Sequence, residues 1–574
     1  MTRARFGTLL AAAAIVVAAC GGSTATPAPA TETPATPAPA TEAPATEAPS
    51  QATGPKAGGT LVVAIPGDIN RTDPSLVDDA NSSYVEQQAV EGLVTLKPGT
   101  GGEIIPALAE SWTVSPDGLT YTFKVRSGIK FHDGTDFNAA AVKANFDRWL
   151  NIPQAYIDLG YTYYIDTVIG HGESSFVKGV EAPDATTVVV TLRNPNSAFL
   201  IQLTLTPFGI QSPTAMEAGG ASAPDFANNK YAQGGPPAMV GTGPFMFKEW
   251  VSNDHVTLVK NPDYWDKSSG GPYLDAITFK PISDTTATLN ALQSGDVDIA
   301  QTIAPVDVPA AQADTNLQYF DRGSACNMGH LAMNSTKAPF DNLKVRQAVA
   351  YAINRQAIVD AFFGDTGVVI DNWMPPGTKF SQDLGLPNYD PEKAKALLAE
   401  SGVTDLSFDF WYPSDVSRPY MPDPKGEFEA ILNDLTAVGF TPTPKTAPWR
   451  PDYLAAESRG DYPMWLIGWN CDWLGIDNFI YTAFFGYRGD PLGPNPEFGY
   501  KNDEMNQAMV DALASSDEAT QAANWLKAQQ LIAADLPTVP IVSGKTPSAG
   551  ATYVKGFIPS PTLTEFFSGV WLDK

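Results

Sequence analysis

Thr113-Val-Ser-Pro-Asp-Gly-Leu-Thr-Tyr-Thr-Phe-Lys-Val-Arg126 consists of two segments of alternating side chains that flank a Pro-Asp-Gly turn. This pattern predicts a β-hairpin. Upstream, Thr60-Leu-Val-Val-Ala-Ile-Pro66 predicts a buried first strand. Downstream, residues 137–150 have helical spacing, and residues 181–192 predict a further strand. Strands and helices alternate, which indicates a mixed α/β fold.

The same alternation continues through the second half of the chain. Residues 241–247 and 255–260 predict a pair of strands. A helix is expected within residues 340–363, with Asp341 as its candidate N-cap. Pro391 suits the first position of another helix, since a backbone N–H at that position would have no partner.

The first twenty residues predict export from the cytoplasm. Two arginines precede a short apolar run, Leu9–Val17, and small residues follow it. This arrangement is typical of a secretory signal peptide, which would cover residues 1–19. The run is shorter than the roughly 20 residues that a membrane-spanning helix needs. Because Val-Ala-Ala-Cys20 resembles a bacterial lipobox, we expect lipid on Cys20 and a protein anchored outside the cytoplasmic membrane.

Residues 20–58 are expected to form a tether between this anchor and the folded body. They consist mostly of Thr, Ala, Pro and Glu and contain no aromatic side chain. Such a segment cannot bury enough apolar surface to offset the entropy lost on ordering. Frequent proline favours extended conformations, so the tether would hold the body away from the lipid surface.

The composition limits the partners of the remaining chain. Of the 574 residues, 43% are hydrophobic and 10% are aromatic, which allows a large core. The formal net charge of −27 repels nucleic acid and anionic lipid headgroups. We therefore expect neither of them as a partner.

Cysteine and histidine form no metal-binding pattern in the sequence. The four histidines are scattered: His132, His171, His255 and His330. No CxxC pair occurs, so a structural zinc site has no support, and we expect neither a metal nor another cofactor. If Cys20 carries lipid, Cys326 and Cys471 remain. In an oxidising compartment these two form either a disulfide or two separate buried thiols.

Seven ordered sequence blocks carry a resemblance to a known family. They are Ile105-Pro-Ala-Leu-Ala-Glu-Ser-Trp112, Asp117-Gly-Leu-Thr-Tyr-Thr-Phe-Lys-Val-Arg126, Lys130-Phe-His-Asp-Gly134, Gly241-Thr-Gly-Pro-Phe245, Asn261-Pro-Asp-Tyr-Trp265, Lys344-Val-Arg-Gln-Ala348 and Tyr389-Asp-Pro-Glu-Lys-Ala394. In this order they resemble the large extracellular solute-binding proteins of peptide-type ABC importers (cluster C, family 5). The resemblance covers nearly the whole chain after the tether and leaves the ligand open.

The resemblance implies a periplasmic-binding-protein fold of type II, with two lobes and an extra domain in the first lobe. The segments would be residues 59–91, 238–320 and 546–574 for the first lobe, 92–237 for the extra domain and 321–545 for the second lobe. The chain would cross between the lobes near residues 241–243 or just before them, cross again near residues 320–326, and return near residues 539–552. The ligand would lie between the lobes, which close over it by hinge motion.

Two further segments resemble the ligand-binding motifs of dipeptide-binding relatives. Arg418-Pro-Tyr420 matches a motif whose arginine holds the ligand's carboxylate, and Gly468-Trp-Asn-Cys-Asp472 matches one whose aspartate holds its α-ammonium. Guanidinium pairs bidentately with carboxylate, and carboxylate accepts from ammonium, so both ends of a zwitterionic peptide would be recognised. The alternatives are a surface or interlobe salt bridge for Arg418 and a turn-capping carboxylate for Asp472.

Aromatic and cysteine residues accompany these motifs. The aromatic candidates for ligand contact, each of which could instead belong to the core or to the lobe interface, are Trp411, Tyr420, Trp469 and Trp473. Relatives often have Gly or Asp and Pro after the aspartate, whereas Trp473-Leu474 here could reshape the pocket. Cys326 and Cys471 lie about one residue from positions that a disulfide bridges in some oligopeptide-binding relatives.

The sequence thus predicts a monomeric, non-enzymatic lipoprotein that captures short peptides and delivers them to an ABC permease in the membrane. Alternative ligands within the same fold are an oligosaccharide, a nickel chelate or haem. A secreted glycosidase is a more distant alternative. It would need two carboxylates with different pKa values, and no spacing in the sequence singles out such a pair.

Overall fold

The computed structural model describes residues 54–268, 270–487 and 493–574. Residues 54–574 belong to one compact unit. The expected signal peptide, Cys20 and most of the expected tether lie outside the described residues. Among the residues described, no helix is long and apolar enough to cross a membrane.

A seven-stranded sheet is built from three separate stretches of the chain. Its strands, in spatial order, are Leu317–Phe320, Ser548–Ala551, Ile299–Ala300, Thr60–Ile65, Ala276–Pro281, His255–Lys260 and Phe245–Val251. The expected first strand, Thr60–Ile65, lies inside this sheet and runs parallel to both neighbours. Its side chains Leu61, Val63 and Ile65 are buried, as its apolar sequence predicts.

A four-stranded antiparallel sheet contains the hairpin predicted from residues 113–126. Its strands, in spatial order, are Ala109–Val114, Thr120–Val125, Thr187–Leu192 and Val177–Asp184. The turn is closed by a hydrogen bond from the Ser115 amide to the Thr120 carbonyl (2.9 Å). Gly118 has a φ of 70°, a left-handed conformation that favours glycine. The hairpin prediction is confirmed.

A six-stranded mixed sheet forms the core of the second half. Its strands, in spatial order, are Gly367–Val369, Thr538–Gly544, Asn327–Met333, Met464–Asn470, Ser407–Pro413 and Thr441–Ala447. The last three strands run parallel to one another, and Asn327–Met333 runs antiparallel to both of its neighbours. Asn327–Met333 is buried along its whole length, which fits a central strand covered on both faces.

Helices and short strand pairs complete the described part of the chain. The α-helices are Ala80–Glu86, Ala139–Leu150, Gln154–Asp158, Tyr163–Val168, Phe199–Gln202, Pro213–Ala218, Thr285–Ser294, Val308–Ala313, Leu343–Ala352, Arg355–Phe362, Pro391–Ser401, Pro424–Val438, Leu454–Ser458, Asp503–Ala514 and Glu518–Asp535. Val94–Leu96 pairs with Ile104–Pro106, and Val554–Lys555 pairs with Trp571–Leu572. The mixed α/β prediction is confirmed.

Two helix starts were predicted from the sequence, and the structure confirms one of them. Pro391 opens its helix as predicted, with Asp390 accepting from the Lys393 amide at the N-cap. The expected cap Asp341 is wrong, because the Asn342 side chain caps that helix by accepting from the Lys344 amide (2.9 Å). Residues 340–363 also hold two helices rather than one.

The chain passes between the seven-stranded and six-stranded sheets at two places. Residues 321–326 join Leu317–Phe320 to Asn327–Met333, and residues 545–547 lead back to Ser548–Ala551. Arg322, within the first crossing, forms a buried ion pair with Glu565 (2.7 Å). Its guanidinium also donates to the Thr546 carbonyl in the other crossing (2.7 Å). This one side chain therefore ties the two crossings together.

The crossing expected near residues 241–243 is wrong. These residues lead into Phe245–Val251 of the seven-stranded sheet, and the Gly243 amide donates to the Ala89 carbonyl (2.9 Å). A Cβ on Gly243 would lie 2.7 Å from the backbone of Ala89. Glycine is required here for close packing of two chain segments rather than for movement between lobes.

Two of the seven blocks meet at one half-buried carboxyl group, Glu91. It accepts from the Thr242 hydroxyl (2.7 Å), the Tyr264 hydroxyl (2.9 Å) and the Trp265 indole N–H (2.8 Å). Burial raises the pKa of Glu91 to about 7. These blocks therefore serve the folding of the first half of the chain.

Candidate functional site

The two motifs that resemble ligand-binding segments emerge at the same edge of the six-stranded sheet. Ser407–Pro413 and Met464–Asn470 are parallel neighbours, with Trp411 opposite Trp465. Parallel neighbours end at the same edge, so the segments that follow them lie on one side. The first segment carries Arg418 and the second carries Asp472.

The Arg418–Tyr420 segment lies directly on the backbone of the sheet. A Cβ on Gly468 would be 2.6 Å from the Tyr420 ring, and one on Gly329 would be 2.7 Å from the Tyr420 carbonyl oxygen. Gly329 and Gly468 are paired across two adjacent strands. A third glycine, Gly544, contacts the Pro419 carbonyl in the same way. These glycines allow Tyr420 to be buried against the sheet and so fix the position of the neighbouring Arg418.

Asp472 is half-buried and surrounded by hydrogen-bond donors. Its Oδ2 accepts from Asn478 Nδ2 (3.2 Å) and from the Tyr163 hydroxyl (3.3 Å). The Tyr164 hydroxyl is also within hydrogen-bonding reach of this carboxylate. Removal from water outweighs these bonds and raises the pKa of Asp472 to about 6. At neutral pH the group is still a carboxylate and can accept from a cation.

Asn478 orients both Asp472 and Trp469. Its Oδ1 accepts from the Asp472 amide (3.0 Å) and from Trp469 Nε1 (3.0 Å). Trp469 is half-buried, and its ring lies 6.4 Å from the ring of Tyr163, centroid to centroid. The predicted Trp469 and Asp472 are therefore brought together by a residue that the sequence reading did not single out.

Arg418 is half-buried, and no ion pair joins it to a carboxylate within the described residues. Its guanidinium lies over the ring of Trp449, 4.9 Å from the ring centroid. This cation–π contact orients the guanidinium without neutralising its charge. Arg418 thus retains its hydrogen-bond donors for an anionic group.

Trp473 and Trp411 lie in different surroundings from Asp472. Trp473 is fully buried. The other buried members of its core cluster all come from the part of the chain between residues 76 and 240. It therefore joins the loop after Met464–Asn470 to the first half of the unit, and its Nε1 donates to Asp477 (2.9 Å). Trp411 stacks on Tyr462 (4.5 Å between centroids) in a separate core cluster, whose buried members lie between residues 328 and 542 and which we call the second core.

Cys326 and Cys471 form a disulfide, with their Cα atoms 5.4 Å apart. The Cys471 amide also donates to the Cys326 carbonyl (2.7 Å). Cys326 ends the first crossing and Cys471 precedes Asp472. The bridge therefore attaches the loop that carries Asp472 to the segment between the two sheets.

Four residues at the site were missed by sequence reasoning: Tyr163, Tyr164, Trp449 and Asn478. The two tyrosines are about 300 residues from Asp472 in the chain, so no local pattern could link them to it. Asn478 lies six residues after Asp472, in the helical segment Asp477–Phe485, so the local sequence could have indicated it. Within the described ranges, no group of three His, Cys, Asp or Glu residues is arranged to hold a metal ion.

His132 and Asp133 have structural contacts. His132 Nε2 lies 3.0 Å from the Gly243 carbonyl, and burial lowers the pKa of this histidine to about 4. Asp133 accepts from the Thr135 amide (2.9 Å) and from the Ser212 hydroxyl (2.5 Å). The pair therefore holds a turn of the chain in place.

Proteins of known function resemble this chain over most of its length. Heme-binding protein A of Haemophilus influenzae is 31% identical over 515 residues, which cover 87% of this chain and 90% of that protein. Glutathione-binding protein GsiB of Escherichia coli K12 is 31% identical over 502 residues, covering 87% of this chain and 91% of that protein.

Solved structures share the architecture. The periplasmic binding protein DppA of Helicobacter pylori, associated with an ABC transporter and solved with the peptide STSA, has a TM-score of 0.75 at 28% identity and covers 90% of this chain and 99% of its own. HbpA2 of Haemophilus parasuis has a TM-score of 0.75 at 27% identity, covering 90% of this chain and 100% of its own. Residues 103–490 match the family described as bacterial extracellular solute-binding proteins, family 5 Middle. The chain belongs to this family, whose members have two lobes and act as extracytoplasmic binding components of transporters.

Proposed function

We propose that this protein captures short peptides and delivers them to an ABC permease in the membrane. The observation that carries the proposal is the placement of two opposite charges on neighbouring segments at one sheet edge. Arg418 has no carboxylate partner among the described residues, and Asp472 is a half-buried acceptor on the neighbouring loop. Arg418 would bind the ligand's carboxylate, and Asp472 its ammonium group.

The energetics favour selection of a ligand by its charged ends. Two unit charges at 4 Å attract by about 4 kcal/mol at an effective dielectric constant near 20. Desolvation takes back much of this gain, so the net contribution of each contact is smaller. Removing one partner of such a buried pair costs roughly 2–5 kcal/mol, because the other charge stays buried and unpaired.

The relatives support a ligand with these ends. One relative is named for glutathione, a tripeptide with an ammonium group and two carboxylates, and one structure holds the peptide STSA. Haem, for which another relative is named, carries carboxylates but no ammonium group. Peptide is therefore the ligand class that would use both Arg418 and Asp472.

The setting of the binding unit is also a proposal. Lipid on Cys20 would anchor the protein outside the cytoplasmic membrane, with residues 20–58 as the tether. The unit would act as a monomer, with residues 92–237 as the extra domain and 321–545 as the second lobe. Tyr420, Trp469 and Trp473 would contribute to the peptide cleft or to the contact between lobes.

A thermal-shift screen of the purified protein tests the ligand class. The panel contains dipeptides, tripeptides, glutathione, haem, a nickel chelate and xylo-oligosaccharides. Ligand at 100 times its Kd adds about 2.7 kcal/mol to the free energy of unfolding, which gives a clear rise in Tm. We expect this rise with short peptides and its loss in Arg418→Met and in Asp472→Asn.

Two matched controls separate ligand binding from general effects of charge. Arg459 and Asp461 form an exposed ion pair, so Arg459→Met and Asp461→Asn should leave the peptide shift unchanged. A shift with haem, chelate or oligosaccharide and with no peptide would contradict the proposal. A peptide shift that persists in both Arg418→Met and Asp472→Asn would contradict the assignment of these residues.

A further inference from the structure

The Asp472 carboxylate has little hydrogen-bonding capacity left for a ligand. A carboxylate offers about four acceptor positions. Asn478 Nδ2 and the Tyr163 hydroxyl donate to Oδ2, and the Tyr164 hydroxyl is within reach of the same group. About one acceptor position therefore remains. A primary ammonium group has three N–H donors and would satisfy only one of them at Asp472.

Three aromatic rings lie close together near Asp472, whose Oδ2 accepts from one of them through the Tyr163 hydroxyl. The rings of Tyr163 and Tyr164 lie 4.9 Å apart at 76°, and those of Tyr163 and Trp469 lie 6.4 Å apart at 51°. These three rings and Asp472 are all half-buried, so each keeps part of its surface accessible. We call these four residues the aromatic chamber.

The chamber lies in a region of negative charge. Asp78 and Asp79 are close enough to Tyr164 to act on its ionisation, as Asp472 does. Arg71 pairs with Asp78 (3.1 Å), and both oxygens of Asp79 accept from Ser82, so Asp472 is the carboxylate that remains to attract a cation. Negative potential and aromatic faces with few free acceptors suit a cation that has methyl groups in place of N–H donors.

We propose that the aromatic chamber accepts peptides whose amino terminus is N-methylated, with one N–H kept for Asp472. This inference rests on the proposed peptide-binding function and specifies which amino termini the peptide ligands can carry. Methyl groups on the nitrogen would contact the rings of Tyr163, Tyr164 and Trp469. A primary ammonium group would instead leave N–H donors facing these rings.

Calorimetric titration of the purified protein with four ligands tests the inference. The ligands are alanyl-leucine and its N-methyl, N,N-dimethyl and N-acetyl derivatives. We expect the N-methyl and N,N-dimethyl peptides to bind within threefold of the parent peptide or more tightly. The acetylated peptide has lost its positive charge and should bind at least a hundredfold more weakly.

Two substitutions at one position separate the ring from its hydroxyl group. Tyr163→Phe keeps the ring but frees one acceptor position of Asp472, as Tyr163→Leu also does, so it is the reference for the affinity of the N,N-dimethyl peptide relative to the parent. Tyr163→Leu removes the ring, so that relative affinity should fall about threefold to tenfold. Tyr163 is half-buried, and circular dichroism and thermal denaturation of both variants verify that they are folded.

The outcomes distinguish this inference from the proposed function. If the parent peptide binds and the N,N-dimethyl peptide binds at least thirtyfold more weakly, the inference is wrong and peptide binding stands. An identical ratio in Tyr163→Leu and Tyr163→Phe would also overturn the inference. If neither peptide binds, both the inference and the proposed function fail.

Discussion

Ionisation of the Asp472 side chain links peptide binding to pH. Burial raises the pKa of this group to about 6, and only its ionised form pairs with an ammonium group. At pH 5 about a tenth of the unliganded protein carries the ionised group, whereas at pH 7 most of it does. The apparent affinity for a dipeptide should therefore fall about tenfold between pH 7 and pH 5.

Calorimetric titrations between pH 5 and pH 8 provide the measurement. Asp365→Asn changes an exposed carboxylate and should keep the wild-type pH profile. Asp472→Asn should bind weakly at every pH and give a flat profile. A wild-type affinity that does not change across this range would show that another group holds the ammonium.

Deprotonation of Asp472 favours ligand binding but lowers the free energy of unfolding. The pKa values of Asp472 and Asp477 are both raised to about 6 by burial. A raised pKa means that the folded protein holds the proton more tightly than the unfolded chain does. The stability that these two groups contribute is full below pH ~4 and is lost as the pH rises through about 6. Ligand binding at neutral pH therefore uses a carboxylate whose charge disfavours the folded state.

Local patterns identified part of the site. Arg418 and Asp472 were recognisable because each lies in a short motif, and their strands end at one sheet edge. Tyr163 and Tyr164 were not recognisable, since their proximity to Asp472 depends on the packing of distant parts of the chain. The role of Trp449 under Arg418 was hidden for the same reason.

At the level of the secondary-structure elements, one buried ion pair lies where the chain crosses between the two large sheets. The side chains of Arg322 and Glu565 are almost fully buried, and Tyr84 also donates to Glu565 (2.8 Å). Arg322→Met would leave the Glu565 carboxylate buried and unpaired. We expect a loss of about 3–5 kcal/mol in the free energy of unfolding, measured by denaturant titration.

A surface substitution and a double variant complete this test. Arg459→Met removes an exposed ion pair and should cost less than about 1 kcal/mol. Arg322→Met with Glu565→Gln should recover part of the loss, because no unpaired charge remains buried. Equal losses in Arg322→Met and Arg459→Met would show that the crossings do not depend on this pair.

Elements with a strong local signal were predictable, and their junctions were not. The Pro-Asp-Gly hairpin and the strand Thr60–Ile65 follow from turn chemistry and apolar runs within a few residues. The role of Gly241 and Gly243 depends on residues 88–90, which lie far away in sequence. A glycine required for close packing and one required for a hinge look the same in a sequence.

Trp473 offers a direct report on lobe closure in the molecule. Its fully buried ring belongs to a core cluster formed otherwise by residues 76–240, although its loop follows a strand of the six-stranded sheet. Separation of the lobes would expose this ring to water. Peptide binding should therefore shift the tryptophan emission to shorter wavelength, because it favours the closed arrangement.

Comparison with Trp473→Phe assigns the spectral change. This variant keeps an apolar ring in the contact, so it should still bind peptide but lose most of the emission shift. Trp411 is stacked on Tyr462 within the second core, so Trp411→Phe should retain the shift. A full shift in Trp473→Phe would place the responsive tryptophan elsewhere.

The bridge between Cys326 and Cys471 has a practical consequence for preparing the protein. Material made in a reducing cytosol would carry thiols at these positions, and the loop with Asp472 would lose its covalent attachment to the first crossing. Closing a long loop in this way stabilises a fold by roughly 2–5 kcal/mol. Batches that differ in oxidation would consequently differ in affinity and melting behaviour, and a thiol assay should accompany each titration.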